Sequence, residues 1–227
     1  MLPFREMLDM LLPPSVYYRR RIAEEVDAGE PELDLLPELV RRGSTAVDVG
    51  ANQGFFWWEV DATYWVLRAL PGVRARVPGV RLEIIGDGPY GPTLEAEVAR
   101  RGLQDAVRFL GFMPGAEKVR HLQASWGVLQ PSPKEGWGLT VVESSACGTA
   151  VIASDAPGLR DSVRRDETGL LVPYDDTAAL TEAIVRLLTD ASLRRRLESA
   201  GPAWAARFQW DECGRRSIDA LVGEGGA

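Results

Sequence analysis

Two glutamates, Glu135 and Glu143, are separated by seven residues that include a glycine-containing turn. Gly136 and Gly138 let the backbone approach a ligand closely because they lack a Cβ. A helix predicted to begin near Leu139 would offer unpaired N–H groups and the positive end of its dipole, an arrangement that favours phosphate. Glu143, one turn inside that helix, would reach hydroxyl groups beside the phosphate. An isolated pair of glutamates is more often solvated or capping, so the surrounding sequence decides between these interpretations.

The elements that would position this loop alternate between strand and helix. Predicted strands cover residues 45–49, 80–85, 107–110, 127–130, 150–153 and 169–172. Predicted helices cover residues 61–76, 93–101, 117–124, 139–147, 177–189 and 192–208. Pro71-Gly72 is expected to bend or break the first of these helices, and Gly201-Pro202 is expected to interrupt the last. Further helices at 17–25, 32–42 and 210–221 would extend the domain at both ends.

This alternation predicts an α/β fold with a Rossmann-like, doubly wound parallel sheet. Ligands of such sheets lie beyond the carboxyl ends of the strands. The loops expected to carry a site are therefore those after Val49, Ile85, Leu110, Gln130 and Ala153.

Composition excludes several classes of protein. The chain has 227 residues and a formal net charge of -7, which argues against a general nucleic-acid binder, because phosphate backbones are held by dense basic patches. Its two cysteines and one histidine form no metal-binding pattern and favour a reducing, cytoplasmic location. The apolar start of the chain lacks a basic leader, so we expect no signal peptide, and the overall composition predicts no transmembrane segment.

The segment 135–143 resembles the E-x7-E motif of glycosyltransferase family four. Four other segments resemble the same family in its order and spacing, namely residues 85–89, 107–111, 148–155 and 168–172. The resemblance implies the C-terminal, donor-binding half of a GT-B architecture. It also implies transfer of a sugar from a UDP or GDP donor with retained anomeric configuration, and it implies no metal or other required cofactor.

The same resemblance implies roles for individual residues. Glu135 would meet the hydroxyl groups of the donor sugar and is the catalytic candidate, whereas Glu143 would bind the ribose. The backbone of the turn would face the phosphates and the sugar through Gly136, Trp137, Gly138 and Leu139. The donor-binding set also includes Gly86, Leu110 and Gly111, with the main chain near the last two against the nucleobase.

The chain departs from the family after its first strand. Members of the family carry a Gly-Arg and then a Lys that clamp the donor pyrophosphate, whereas residues 47–60 contain no cation. Losing two charge-assisted contacts would cost about 1.5–3 kcal/mol each. Lys134, Arg160 and Arg108 are candidates to replace the missing charge.

Residues 32–56, and above all 47–54, resemble the opening of FkbM-type methyltransferases. That resemblance implies a loop for S-adenosylmethionine, with Asp48, Gly50, Asn52 and Gly54 as its residues. It predicts a chimeric domain over residues 43–227, in which residues 43–60 are methyltransferase-like and residues 61–227 are glycosyltransferase-like. Residues 1–42 would form an N-terminal helical extension.

Three functions remain open at this point. The first is a donor-binding half that needs an acceptor domain from a partner, because the 42 residues before Gly43 are too few to form one. The second is a methyltransferase-like binder of S-adenosylmethionine. The third is a non-catalytic remnant that associates into a homo-oligomer. His121 is predicted to lie on a helix away from the ligand loops and is not expected to act in catalysis.

Overall fold

The computed structural model describes residues 45–51 and 57–208, with side chains from residue 61 onward. These residues form one α/β domain. Its strands are β1 (Thr45–Ala51), β2 (Arg81–Gly86), β3 (Val107–Gly111), β4 (Gly127–Gln130), β5 (Val151–Ser154) and β6 (Gly169–Val172). Its helices are α1 (Trp57–Arg76), α2 (Gly91–Arg100), α3 (Gly115–Ala124), α4 (Leu139–Ala146), α5 (Leu159–Ser162), α6 (Thr177–Thr189) and α7 (Ala191–Ala205).

The six strands form a single sheet in the order β3-β2-β1-β4-β5-β6. Every neighbouring pair is parallel. The chain builds outward from β1 to β3, then returns to the other side of β1 and continues to β6. The strand order therefore reverses between β1 and β4, and crevices at such a reversal are where doubly wound sheets bind ligands. The Rossmann-like parallel sheet predicted from the sequence is confirmed.

Burial explains why these short apolar runs become central strands. All four residues of β4 and all four residues of β5 are buried, as expected for parallel strands covered by helices on both faces. The main core lies between this sheet and helices α1, α6 and α7, and its largest fully buried members include Trp65, Leu67, Leu82, Ile84, Ile152, Leu187 and Leu197.

Neither helix is broken at its internal proline. Helix α1 continues through Pro71, and helix α7 continues through Pro202. Proline inside a helix removes a hydrogen bond and costs about 3 kcal/mol. In α1 this cost is offset by the buried side chains of Leu70 and Val73 on both sides of the proline. In α7 the neighbouring Gly201 packs so closely on α4 that an added Cβ would lie 2.8 Å from the carbonyl oxygen of Ser145.

The single-turn helix α5 was not predicted, and the other described elements start and end within a few residues of their predicted limits. The helices predicted at 17–25, 32–42 and 210–221 lie outside the described residues, as do the boundaries of the N-terminal extension. Within residues 57–208, none of the helices has the length and apolar character that crossing a bilayer requires.

Candidate functional site

The loop that joins β4 to α4, residues 131–138, crosses the carboxyl edge of the sheet beside the strand reversal. The loop carries Glu135, whose carboxylate is bonded to the last residue of β4. Gln130 Nε2 donates a hydrogen bond of 2.9 Å to Glu135 Oε1. The same Nε2 lies 3.1 Å from Ser132 Oγ. Glu135 is half-buried, whereas Gln130 is buried. The structure thus puts Glu135 at the edge of the sheet where the sequence predicted a ligand.

The turn that follows β5 braces this loop from one side. Ser154 Oγ donates a hydrogen bond to the carbonyl oxygen of Ser132. Gly158 has a φ of +81°, and a Cβ at this position would lie 2.3 Å from the carbonyl oxygen of Glu135. The two backbone segments are therefore in contact at a point that only glycine allows. This contact fixes the peptide that carries Glu135.

The N-terminus of α4 is built on a second glycine. Gly138 is its N-cap residue with a left-handed φ of 83°, and no side chain caps the helix there. The first N–H groups of a helix have no intrahelical partner, so this end attracts anions through those groups and through the helix dipole. Leu139, the first helical residue, is exposed. This end of α4 therefore presents backbone donors of the kind that bind phosphate.

Glu143 lies in the second turn of α4 and faces helix α3. Its Oε1 atom is 3.0 Å from Lys118 Nζ, and the two side chains are 43% and 26% exposed, respectively. Among the described side chains, Glu143 is bonded to Lys118, whereas Glu135 is bonded to Gln130. The two acids of the motif are therefore held separately, one by an amide and the other by an ammonium group.

Cys147 lies one turn beyond Glu143 and is a partly buried free thiol. Burial raises the pKa of its thiol to about 11, and the negative charge of Glu143 adds to this effect. Because the thiolate is the reactive form, a thiol with so high a pKa reacts slowly at neutral pH.

The residues expected near a nucleobase lie on the other side of β1. Gly86 ends β2 and Gly111 ends the neighbouring strand β3, both with positive φ. Leu110 is half-buried. The next residue, Phe112, is 73% exposed and was not singled out from the sequence, because nothing in its local pattern separates it from a core aromatic.

The backbone of Trp137 is part of the loop 131–138, whereas its side chain packs against residues near the end of α7. Its ring packs against Phe208 at a centroid distance of 4.5 Å, and Phe208 packs in turn against Trp204 at 4.9 Å. Trp204 Nε1 donates to the carbonyl oxygen of Ser162 at 2.8 Å. The indole of Trp137 therefore joins the loop to the end of α7, and only its main chain is available to a phosphate.

The three cations predicted to replace the missing phosphate clamp, Arg160, Arg108 and Lys134, have different surroundings. Arg160 Nε donates a hydrogen bond of 2.5 Å to Asp155 Oδ1. Arg160 Nη2 donates a second one, of 2.9 Å, to the carbonyl oxygen of Asp155. Hydrogen bonds from Arg160 and then Arg165 hold the pKa of Asp155 below its ordinary value. Arg108 and Lys134 are exposed. Lys118, which the sequence did not indicate, is instead the cation in contact with an acid of the motif.

A broad, open depression of about 820 Å³ lies beyond the turn after β5. Its lining includes Asp155, Arg160, Arg164, Arg165 and Trp204. The arginines are already paired, two with Asp155 and Arg164 with Glu167 at 2.9 Å. None of residues 131–143 lines this depression, so it is distinct from the predicted site.

The proposed S-adenosylmethionine loop is only partly described. Asp48 lies within β1, opposite Ile84 of β2 and Leu129 of β4, and Gly50 also belongs to β1. Asn52 and Gly54 lie outside the described residues. Within residues 61–208, no group of three or more acidic, histidine or cysteine side chains is arranged to bind a metal ion.

The parallel sheet, its strand reversal and the acidic loop before α4 define a Rossmann-like domain of the GT-B kind, in its C-terminal form. Residues 65–204 match the family described as Glycosyl transferases group 1, and the chain belongs to this family. The match begins at residue 65, so the likeness of residues 32–56 to FkbM-type methyltransferases gains no support from it, and a chimeric origin is not shown.

Individual relatives agree with this assignment. The chain is 42% identical over 170 residues to a D-inositol 3-phosphate glycosyltransferase of Acidothermus cellulolyticus, covering 72% of the chain and 36% of the relative. It is 34% identical over 166 residues to a GDP-mannose-dependent alpha-(1-6)-phosphatidylinositol monomannoside mannosyltransferase of Mycolicibacterium smegmatis, covering 70% and 44%. The chain therefore spans less than half the length of each of these two relatives.

A solved structure shows the same fold. Anabaena HepE, in complex with UDP and glucose, superposes with a TM-score of 0.67 at 23% identity. The superposition covers 79% of this chain and 48% of HepE.

Proposed function

We propose that the chain binds a nucleotide-diphosphate sugar of the UDP or GDP type and forms the donor-binding half of a retaining glycosyltransferase. The observation that carries the proposal is the half-buried Glu135 on a glycine loop that leads directly into the uncapped N-terminus of α4. The relatives add support, since one is named as GDP-mannose-dependent and the HepE structure contains UDP.

Each part of the donor has a matching chemical group. The diphosphate would accept hydrogen bonds from the first N–H groups of α4. The ribose hydroxyls would donate to Glu143, and the sugar hydroxyls would donate to Glu135. The main chain at Leu110 and Gly111 would contact the nucleobase. None of these contacts requires a metal ion.

Sugar transfer would break the bond between the anomeric carbon and the diphosphate oxygen. It would form a bond between that carbon and the oxygen of an acceptor hydroxyl, whose proton would pass to the departing diphosphate. The departing diphosphate gains negative charge, which the dipole of α4 stabilises. The acceptor would be held by an acceptor domain, by a partner chain or by a second copy of this chain. A cytoplasmic location remains a prediction from composition.

Calorimetry with GDP, UDP, GDP-mannose and UDP-glucose tests the proposal. We expect one nucleotide to bind and its sugar conjugate to bind more tightly. Glu143→Gln should weaken both about tenfold or more, because a hydrogen bond to a charged group contributes about 1.5–3 kcal/mol. Glu135→Gln should weaken the sugar conjugate alone. Glu95→Gln, on the exposed face of α2, is the matched control.

The outcome against the proposal is an absence of heat and of thermal stabilisation with all four ligands at millimolar concentration. S-adenosylmethionine belongs in the same thermal-shift series, because a ligand that binds only the native state raises apparent stability. Stabilisation by S-adenosylmethionine alone would favour the methyltransferase-like alternative. An oligomer that responds to no ligand would favour the non-catalytic remnant.

A further inference from the structure

Gln130 is a polar residue in an otherwise apolar central strand. It is the last residue of β4 and is 4% exposed, after Val128 and Leu129 at 0% and 2%. Its Nε2 group uses both protons, one towards Glu135 Oε1 at 2.9 Å and one towards Ser132 Oγ at 3.1 Å. Its Oε1 atom is buried and has no hydrogen-bond partner within the described part of the chain.

The unpartnered oxygen shows that packing alone does not account for this residue. A buried acceptor without a partner destabilises a fold, so a leucine at the end of β4 would be the better choice for stability. The amide orientation is fixed by its neighbour, because a carboxylate accepts hydrogen bonds and does not donate them. What glutamine provides here, and leucine cannot, is a donor aimed at Glu135.

We infer that Gln130 is a positioning residue for Glu135. Its amide holds Oε1 of the carboxylate, while Oε2 makes no hydrogen bond with the described residues and stays available to a sugar hydroxyl. The donor is uncharged, so the carboxylate keeps its negative charge, which an arginine or lysine would offset. The inference rests on the proposed function, because it assigns Glu135 to the sugar of the donor.

The ligand-free protein provides the first test, by NMR of side-chain amides. The Gln130 resonances are identified as the pair that disappears in Gln130→Leu. Replacing Glu135 by Ala should shift these resonances and speed their exchange with water, because the acceptor is lost. Glu143→Gln, on the other acid of the motif, should leave them in place. Gln130 resonances that do not respond to Glu135→Ala would overturn the inference, whether or not any nucleotide binds.

Calorimetry provides the second test. Gln130→Leu should reduce the affinity ratio of nucleotide sugar to free nucleotide about fivefold, with less than a twofold change for the nucleotide itself. A purely structural role predicts a different result, in which the denaturation midpoint falls and both ligands weaken together. We expect the midpoint of Gln130→Leu to stay level or rise, because a buried unpartnered oxygen is removed.

Two further variants separate positioning from packing. In a Glu135→Ala background, which has no acceptor for the Gln130 amide, Gln130→Leu should have no additional effect on the affinity ratio. Gln130→Glu keeps the shape of the side chain but brings two carboxyl groups together, so the ratio should be low at neutral pH and recover as the pH falls and one group becomes a donor. An unchanged ratio in Gln130→Leu contradicts the inference, whereas a wild-type protein that binds no nucleotide contradicts the proposed function.

Discussion

Lys118 Nζ lies 3.0 Å from Glu143 Oε1, and this contact joins α3 to α4 at the side of the candidate site. A diphosphate at the N-terminus of α4 would be repelled by the carboxylate one turn further along the helix. Lys118 offsets part of that negative charge. The first strand and the start of α1 lack the cations that the family resemblance led us to expect, and a cation from α3 contacts the site instead.

We therefore predict that Lys118→Met weakens binding of the nucleoside diphosphate about fivefold. This corresponds to about 1 kcal/mol, the upper end for partly exposed ion pairs. The effect should shrink at high salt, because exposed charges are screened. Calorimetry at two ionic strengths measures both quantities. Lys134→Met, which removes an exposed lysine from the loop itself, is the control, and equal losses in the two variants would contradict a specific role for Lys118.

A second prediction concerns the contact between Gly158 and the loop. Gly158→Ala should lower the free energy of unfolding by about 2 kcal/mol or more, because the residue has a positive φ and its Cβ would collide with the Glu135 carbonyl. Denaturant unfolding measures the loss. Gly88→Ala is the matched control, since no atom lies within 4 Å of the position a Cβ would take there. A similar small change in both variants would show that the loop yields without cost.

Local sequence patterns were sufficient for most of the strands and helices. The run 127–130 was predicted as a strand with the limits it has. Local rules failed at Pro71 and Pro202. There the decision depends on what the helix packs against, and that partner comes from a distant part of the chain.

Some residues of the candidate site could be identified from the local sequence, whereas others could not. Glu135, Glu143 and the glycines between them stand together in the sequence and could be singled out there. Lys118 could not, because its partner is 25 residues away and the contact exists only once α3 packs beside α4. Arg160 was a reasonable candidate by charge alone, but the turn after β5 brings it to Asp155 first.

Stability at acid pH provides a third prediction. The pKa of Glu97 is lowered from 4.5 to about 2, first by the hydrogen bond from Arg100 and then by that from Arg101. A depressed folded-state pKa means that the stabilisation is present above pH 4.5 and is lost as the pH falls towards 2. Glu97→Gln should therefore be less stable than wild type at pH 6, and the difference should narrow towards pH 3.

Urea unfolding at several pH values between 3 and 6 measures this difference. Glu95→Gln is the control on the same helix, since Glu95 makes no ion pair among the described side chains. If the difference in the free energy of unfolding between wild type and Glu97→Gln stayed constant over this pH range, the lowered pKa of Glu97 would not contribute to stability.

A fourth prediction uses Cys147 as a reporter on α4. Because burial first, and Glu143 second, raise the pKa of this thiol to about 11, little thiolate exists at pH 8. In a Cys213→Ser background, alkylation of the folded protein at pH 8 should be at least about tenfold slower than in urea, since the thiolate is the reacting species. Glu143→Gln should speed the reaction of the folded protein only slightly, because the charge of Glu143 is the smaller of the two causes. A large acceleration in that variant would mean that the charge of Glu143, and not burial, protects the thiol. Equal alkylation rates in the folded and the unfolded protein would mean that α4 opens readily. An α4 that opens readily could not hold a phosphate at a fixed N-terminus.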